Sequence, residues 1–334
     1  MLFTEIEGIR ARLETSDALF EKYLADSYGP ALRTAEEIGD PADFDLTARV
    51  RFEKVHSAAS GTWLDSAIES NPIIIGSFLR EGVRSVLYQY APFNVIAEWS
   101  GDRLRIDTLF EITRKFWALR RFRHVGIFND YQMIMRRSVH FPYFVLLCQK
   151  GYSLLHASMS YKGEDAVLFM GLNGAGKTTA ALSLLPEMSI AADNFVFFDG
   201  EKAFGYPELL RIPGDIPAAL GSKDRAPVIN GKTQVRMTEG RRSAHVRPRA
   251  CVIVKQGREN SWEEISRDRA IEYLETTDLF QHETHEFSYL AFMCGRPSPK
   301  MYPNCKFFSA TVSGMEESRA MIRNKVGELL GLRF

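Results

Sequence analysis

The chain has 334 residues, 45% hydrophobic and 25% charged, with 42 basic side chains against 42 acidic ones. That length suggests about two domains or one large one, and the composition is that of an ordinary globular protein, which argues against wholesale disorder and a fibrous repeat. Zero formal net charge removes the global electrostatic case for a nucleic-acid-coating protein, so a phosphate-handling site has to be built locally.

Taken in chain order, residues 1–40 read as short helices, with apolar positions recurring at three and four residues among charges. Ser16 reads as a cap, with Asp17 in the first turn behind it, and Gly29-Pro30 marks a break. The early acids and the lack of an uninterrupted apolar run do not read as a signal peptide. A strand is expected at Ala48 to Val55, another at Ser85 to Tyr90, and a hairpin over Asn94 to Thr108 turning at Ser100-Gly101-Asp102. Leu109 to Arg123 returns to a helical pattern carrying Arg114, Lys115, Arg120, Arg121 and Arg123, a solvated charged face. The apolar stretch Tyr143 to Cys148 has the length of a buried strand or helix face, far short of the roughly 20 residues of a membrane helix.

The pattern changes near residue 145, giving an expected α+β domain over 1–145 and a second domain over 146–334. Tyr152 to Ser160 and Ala166 to Met170 read as strands joined by a turn at Tyr161 to Asp165. Directly after them stands Gly171-Leu172-Asn173-Gly174-Ala175-Gly176-Lys177-Thr178-Thr179, which matches G-x-x-x-x-G-K-[ST]. Glycines let the backbone turn its N–H groups onto phosphate oxygens. Lys177 suits the β- and γ-phosphates, Thr178 suits Mg²⁺, and the helix expected from Lys177 to about Leu185 turns its positive end to the anion. A bare match arises by chance in roughly one chain of this length in a hundred. Strand, loop and helix in succession are what the motif requires, so Gly171 to Thr179 are the expected nucleotide-binding residues.

Other nucleotide-binding classes fail. Asn324-Lys325-Val326-Gly327 does not satisfy N-K-x-D, and no S-G-G-Q signature is present. Ser189 to Phe198 is a strand pattern in which Asp193 follows Lys177 by 16 residues, enough for one helix, a turn and the adjacent strand. Asp193 is thus the candidate magnesium ligand or proton acceptor. Asp199-Gly200 reads instead as a hairpin turn. The run His282 to Glu286 lacks the H-E-x-x-H spacing of a zinc protease. Cys148, Cys251, Cys294 and Cys305 form no C-x-x-C pair, which fits a reducing cytoplasm rather than a disulfide framework.

Together Leu155-His156-Ala157, the glycine loop and Ala192-Asp193-Asn194 are spaced much as in the catalytic domain of HPr kinase/phosphorylase. Over about residues 150–215 the chain resembles that family. The resemblance implies a P-loop kinase domain with a mixed sheet, also akin to ATP-dependent phosphoenolpyruvate carboxykinase. It implies that Asp193 deprotonates the acceptor hydroxyl and that His156, 15 residues before Gly171, supports the phosphate site. Asn194 stands where the family has a second aspartate. Glu208 and Arg211 resemble the family's Glu-x-Arg region with one extra residue between them, implying Glu208 at Mg²⁺ and Arg211 at phosphate. The stretch Arg236 to Arg249, with Arg236, Arg241, Arg242, Arg247 and Arg249, reads as a basic loop able to close over a transferring phosphoryl group.

The expected activity is an ATP- and Mg²⁺-dependent kinase acting on a hydroxyl acceptor, either a small molecule or a serine of a protein or peptide. Catalytic roles fall to Asp193, Lys177, His156 and Arg211, and metal contact to Thr178, Asp193 and Glu208. No nucleic acid or membrane partner is expected, the family resemblance makes a homo-oligomer admissible, and the compartment is cytoplasmic. The rival readings are a nucleotide-gated regulatory ATPase and carboxykinase-like chemistry on a keto acid.

Overall fold

The computed structural model describes residues 1–38, 44–54, 74–80, 83–90, 93–112, 118, 121, 127–213, 225–229, 232–235, 245–276, 301–313 and 315–334. The protein is mixed α/β and divides into two compact units, the first containing Met1–Gln149 and the second Lys150–Thr284 and Ser298–Phe334.

In the first unit, β1 (Leu2–Ile6) and β2 (Ile9–Thr15) form a hairpin, followed by α1 (Ala18–Tyr28), β3 (Leu32–Arg33) and α2 (Ala35–Ile38). The opening residues are therefore strands, where the three-and-four spacing suggested helices. The physical reason is a period of two. Ile9, Ala11 and Leu13 are buried while Arg10, Arg12 and Glu14 face outward. Glu7 (φ 52°) and Gly8 (φ 67°) form the two-residue turn whose twist matches a hairpin. Helix α1 begins one residue later than the expected cap. Asp17 is the N-cap, its Oδ1 accepting from the amides of Leu19 and Phe20 at 2.9 Å each. Ser16 Oγ instead accepts from the amide of Phe52.

Further on come β4 (Leu46–Lys54), β5 (Ile74–Arg80), β6 (Val83–Tyr90), β7 (Phe93–Ser100) and β8 (Arg103–Ile112). The β7–β8 hairpin turns at Ser100 to Arg103 as its sequence indicated. Strand β8 continues through Ile112, so the expected helix from Leu109 begins as strand. Arg114, Lys115, Arg120 and Arg123 lie outside the described residues. The mixed sheet has the order β3-β1-β2-β4-β8-β7-β6-β5. Helix α3 (Ile127–Met135), a π-helical turn at Arg136–His140 and α4 (Phe141–Gln149) follow. The run Tyr143 to Cys148 is thus a helix, buried at all positions except Val145. Phe20, Phe52 and Tyr131 pack ring on ring at the core of this unit.

The second unit opens with β9 (Ser153–Lys162) and β10 (Asp165–Met170), then α5 (Lys177–Ser183), β11 (Ser189–Phe198) and β12 (Ala203–Gly205). A small antiparallel sheet follows, of β13 (Leu210–Pro213), β14 (Arg225–Ile229) and β15 (Lys232–Val235). The chain then supplies β16 (Arg247–Gln256), β17 (Ser261–Ile265), α6 (Arg267–Thr276), β18 (Lys306–Val312) and α7 (Met315–Leu330). The main sheet has the order β12-β11-β9-β10-β16-β18-β17. It is mixed: β10, β16 and β18 are parallel, and β9 is antiparallel to both β10 and β11.

Alternation along each strand sorts the side chains onto two faces. Val167, Phe169, Ala250, Val252 and Val254 pack with α5 and α7 on one face, through Ala180, Ala181, Ile322 and Val326. Leu168, Met170, Cys251 and Ile253 pack with α6 on the other, through Ala270 and Leu274. Arg323 of α7 ties the helices together. Its guanidinium donates to the carbonyls of Ser183 and Leu185, which end α5, and to Glu187. Cys305 Sγ donates to Cys251 Sγ at 3.6 Å. That contact holds the Cys305 thiol below the usual range, while the contact together with burial raises Cys251.

Among the described residues, no helix is long and apolar enough to cross a membrane.

Candidate functional site

The glycine loop leaves the carboxyl end of β10 and enters α5, as the strand–loop–helix pattern required. Two of its glycines are demanded by geometry. A Cβ on Gly171 would lie 2.5 Å from the carbonyl oxygen of Val254, and Gly176 sits at φ 99° where the loop turns into α5. The loop is tied from both sides. Lys177 is buried beneath it and donates from Nζ to the carbonyls of Gly171 (2.8 Å) and Leu172 (2.9 Å). Gln256, at the end of β16, donates from Nε2 to the carbonyl of Gly174 at 2.8 Å. Leu172, Asn173 and Gly174 stand exposed at the crest, and Thr178 and Thr179 are half-buried in the first turn of α5.

Asp193 lies within β11 and is 4% exposed. The register sets it directly opposite Ser158 of β9. Ser158 Oγ donates to Asp193 Oδ1 at 2.9 Å, and Thr178 Oγ1 donates to the same oxygen at 2.5 Å. A buried carboxylate is costly without such donors. Here a residue 15 positions along the chain closes on the P-loop threonine because an antiparallel strand returns beside the loop. Asp199, the competing aspartate, sits in the β11–β12 hairpin. Its Oδ1 accepts from the amides of Glu201 (2.8 Å) and Lys202 (2.7 Å), an Asx turn.

His156, Ser158 and Ser160 share one face of β9, by the strict alternation of Leu155-His156-Ala157-Ser158-Met159-Ser160. Ser160 Oγ reaches the carbonyl of Ala181 in α5 at 3.2 Å, which identifies this face as the one under the loop helix. His156 pairs across to Phe195 and is therefore the diagonal neighbour of Asp193. Such diagonals are roughly 7–8 Å apart. Asn194 pairs with Ala157 and so belongs to the opposite face from Asp193. Asn194 is thus not on the side on which Thr178 meets Asp193.

Glu208 is buried on the segment that follows β12. That segment is pinned by the amide of Tyr206 donating to the carbonyl of Phe195 at 3.0 Å, two residues along β11 from Asp193. Arg211 is placed on β13 opposite Gln234; its side chain lies outside the described residues, as do Arg236, Arg241, Arg242, His282 and His285.

Arg247 and Arg249 correct the reading of a basic loop. Both belong to β16, at its amino end, where Arg247 pairs in register with Asp165. Six residues along β10 separate Asp165 from Gly171, about 20 Å at the rise of a strand. Both arginines are engaged there instead, Arg247 with Glu201 (2.8 Å) and Arg249 with Asp165 (2.6 Å). They do not reach a phosphate on the loop.

Among the described residues no group of three or more His, Cys, Asp or Glu could hold a metal ion. That donor set does not suit a metal caged by protein ligands. It does suit Mg²⁺, which keeps waters and takes one or two protein oxygens plus phosphates. The converging oxygens of Thr178 and Asp193 are such a pair.

Ser158 and Gln256 were missed by motif reading. A signal for Ser158 existed in the alternation of β9. None existed for Gln256, whose role depends on β16 lying beside β10. No family model matches the chain, and no curated protein matches it.

Proposed function

We propose that the second unit is a kinase domain of the HPr kinase-like P-loop type, which transfers the γ-phosphoryl group of ATP to a hydroxyl acceptor. The observation that carries this reading is the convergence of Thr178 and Ser158 on one oxygen of Asp193 beside the glycine loop. A phosphate loop alone argues for nucleotide binding. A buried carboxylate aimed at its threonine argues for chemistry at the terminal phosphate.

In this reading the loop amides and Lys177 hold the β- and γ-phosphates. Thr178 and Asp193 hold Mg²⁺, which neutralises charge on the phosphate oxygens when bound, with Glu208 the further carboxylate on that side. Asp193 takes the proton of the acceptor hydroxyl as its oxygen bonds to the γ-phosphorus. The bond from that phosphorus to the β,γ-bridging oxygen breaks, and ADP leaves with the electron pair. His156, on the same face as Ser158, supports the phosphate side. Arg211, carried on β13, is the arginine assigned to phosphate.

Positioning of this kind works by orientation and preorganised charge, and both need Asp193 fixed before substrate arrives. The two hydroxyl donors provide that fixing. The test is incubation of the whole protein with γ-labelled ATP and cell extract separated into protein and metabolite pools. Label in either pool, dependent on Mg²⁺ and lost in Asp193→Asn, supports the kinase. Release of labelled inorganic phosphate with neither pool labelled would replace it with an ATPase.

A further inference from the structure

Two cysteines 54 positions apart in the sequence meet on the face of the main sheet that packs against α6. Cys251 is fully buried in β16, in register with Leu168 of β10 on one side and Phe307 of β18 on the other. Cys305 comes two residues before Phe307, at the bend that leads into β18. Side chains two apart along a strand share a face, so Cys305 is brought beside Cys251. Their sulfurs are 3.6 Å apart. One thiol is enclosed and the other is partly exposed. Neither belongs to the phosphate site.

We infer that Cys305 and Cys251 are a peroxide-reactive pair, in which Cys305 is oxidised first and Cys251 then closes a disulfide onto it. The inference is independent of the kinase reading. Its two roles follow from the surroundings of each sulfur. The thiolate is the nucleophile toward an oxidant, and a reactive one is accessible and beside a second thiol. The Cys251 thiol, the Cys251 amide and the charge of Arg267 outweigh partial burial and hold Cys305 below the ordinary thiol value. Arg267 opens α6 and donates to the carbonyl of Tyr302 at 3.4 Å, which keeps its guanidinium at the bend that carries Cys305. The same sulfur contact and full burial push Cys251 up, so it stays a thiol until Cys305 has reacted.

The oxidant is hydrogen peroxide. The Cys305 thiolate attacks one peroxide oxygen: an S–O bond forms, the O–O bond breaks, and the departing hydroxide takes a proton from solvent to become water. The Cys251 sulfur then attacks the Cys305 sulfur. The S–S bond forms, the S–O bond breaks, and the hydroxyl leaves with the Cys251 proton as a second water. Two thiols are oxidised by two electrons and one peroxide is reduced. Closing the bridge brings the sulfurs from 3.6 Å to about 2.05 Å. Cys251 is held by strand pairing on both sides, so the approach falls to Cys305, which precedes Lys306, the first paired residue of β18.

The test treats the full chain, reduced and freed of reductant, with hydrogen peroxide. Remaining thiols are then blocked, and the chain is digested and mapped by mass spectrometry without reductant. The expected product is a linked peptide pair carrying Cys251 and Cys305, lighter by two hydrogens and separated again by dithiothreitol. This map needs no variant. Peroxide that leaves both thiols free, or that links Cys305 to Cys148 or Cys294 instead, overturns the pair. Cys305→Ser, a change at a partly exposed position, tests the order of the roles. In that variant Cys251 should react with peroxide at least about tenfold more slowly than Cys305 does in the wild type. Equal rates overturn Cys305 as the residue oxidised first.

Discussion

The main sheet of the second unit has two halves that meet at β10, and they spend their interior differently. On one side, β16 and β18 run parallel to β10 and present Ala250, Val252, Val254, Phe308 and Ala310 to the helices. On the other, β9 and β11 present Ser158, Ser160 and Asp193, all buried. The same helix, α5, touches both halves: Ala180 and Ala181 pack into the apolar cluster, and the carbonyl of Ala181 accepts from Ser160. Apolar burial stabilises at about 25 cal/mol per Å², whereas a buried hydroxyl or carboxylate only breaks even when its hydrogen bonds are made. The antiparallel half thus gives up apolar burial for buried polar groups. Substitutions in the parallel half should damage the fold, and those in the antiparallel half should damage the chemistry.

The strongest challenge to that contrast is Asp193→Asn. It should cut γ-phosphoryl transfer by about 10²–10⁴-fold, the usual worth of a positioned acid–base group, while the urea midpoint barely moves and Mg-ATP still binds. Loss of folding in place of loss of turnover would erase the distinction between the halves. In the apolar half, Phe169→Ala removes a fully buried ring under α5. It should cost about 3–5 kcal/mol in chemical denaturation, and soluble, folded variant should retain nucleotide binding.

Arg323→Ala tests the brace between α5 and α7, with about 1–2 kcal/mol expected for the lost bonds to Ser183, Leu185 and Glu187. Its pH dependence has a definite sign. Partial desolvation alone would raise the Glu187 carboxyl, but the hydrogen bond and charge of Arg323 outweigh it and hold that group below its ordinary value. A depressed carboxylate contributes above its unfolded pKa, and that contribution fades as pH falls through the folded one. The gap between wild type and Arg323→Ala should be full at neutral pH and shrink below about pH 4. An equal gap at every pH in denaturation curves would assign the brace to the carbonyl bonds alone. The smallest change in stability belongs to Ser158→Ala, about 1 kcal/mol or less. Its effect on transfer should exceed its effect on the denaturation midpoint, because Asp193 keeps Thr178 but loses its second donor.

Much of this was legible along the chain. The loop and the strand entering it were plain because each depends on residues adjacent in sequence. The Asp193 strand could be placed because a single short helix separates it from the loop. The opening hairpin was misread because apolar residues spaced by two and by four coincide over a few turns. Arg247 and Arg249 were grouped with a loop because composition does not reveal that Pro248 sits inside a strand paired with Asp165 to Met170.

By itself, then, the sequence determined the local units: a glycine-rich loop between a strand and a helix, and strands patterned to bury one face or both. Tertiary structure decided which distant residues share that loop. Strand order set Asp193 and Ser158 on one side of β10 and Gln256 on the other. Order within a sheet is a matter of long-range pairing, chosen by whole-face packing, and no local spacing records it.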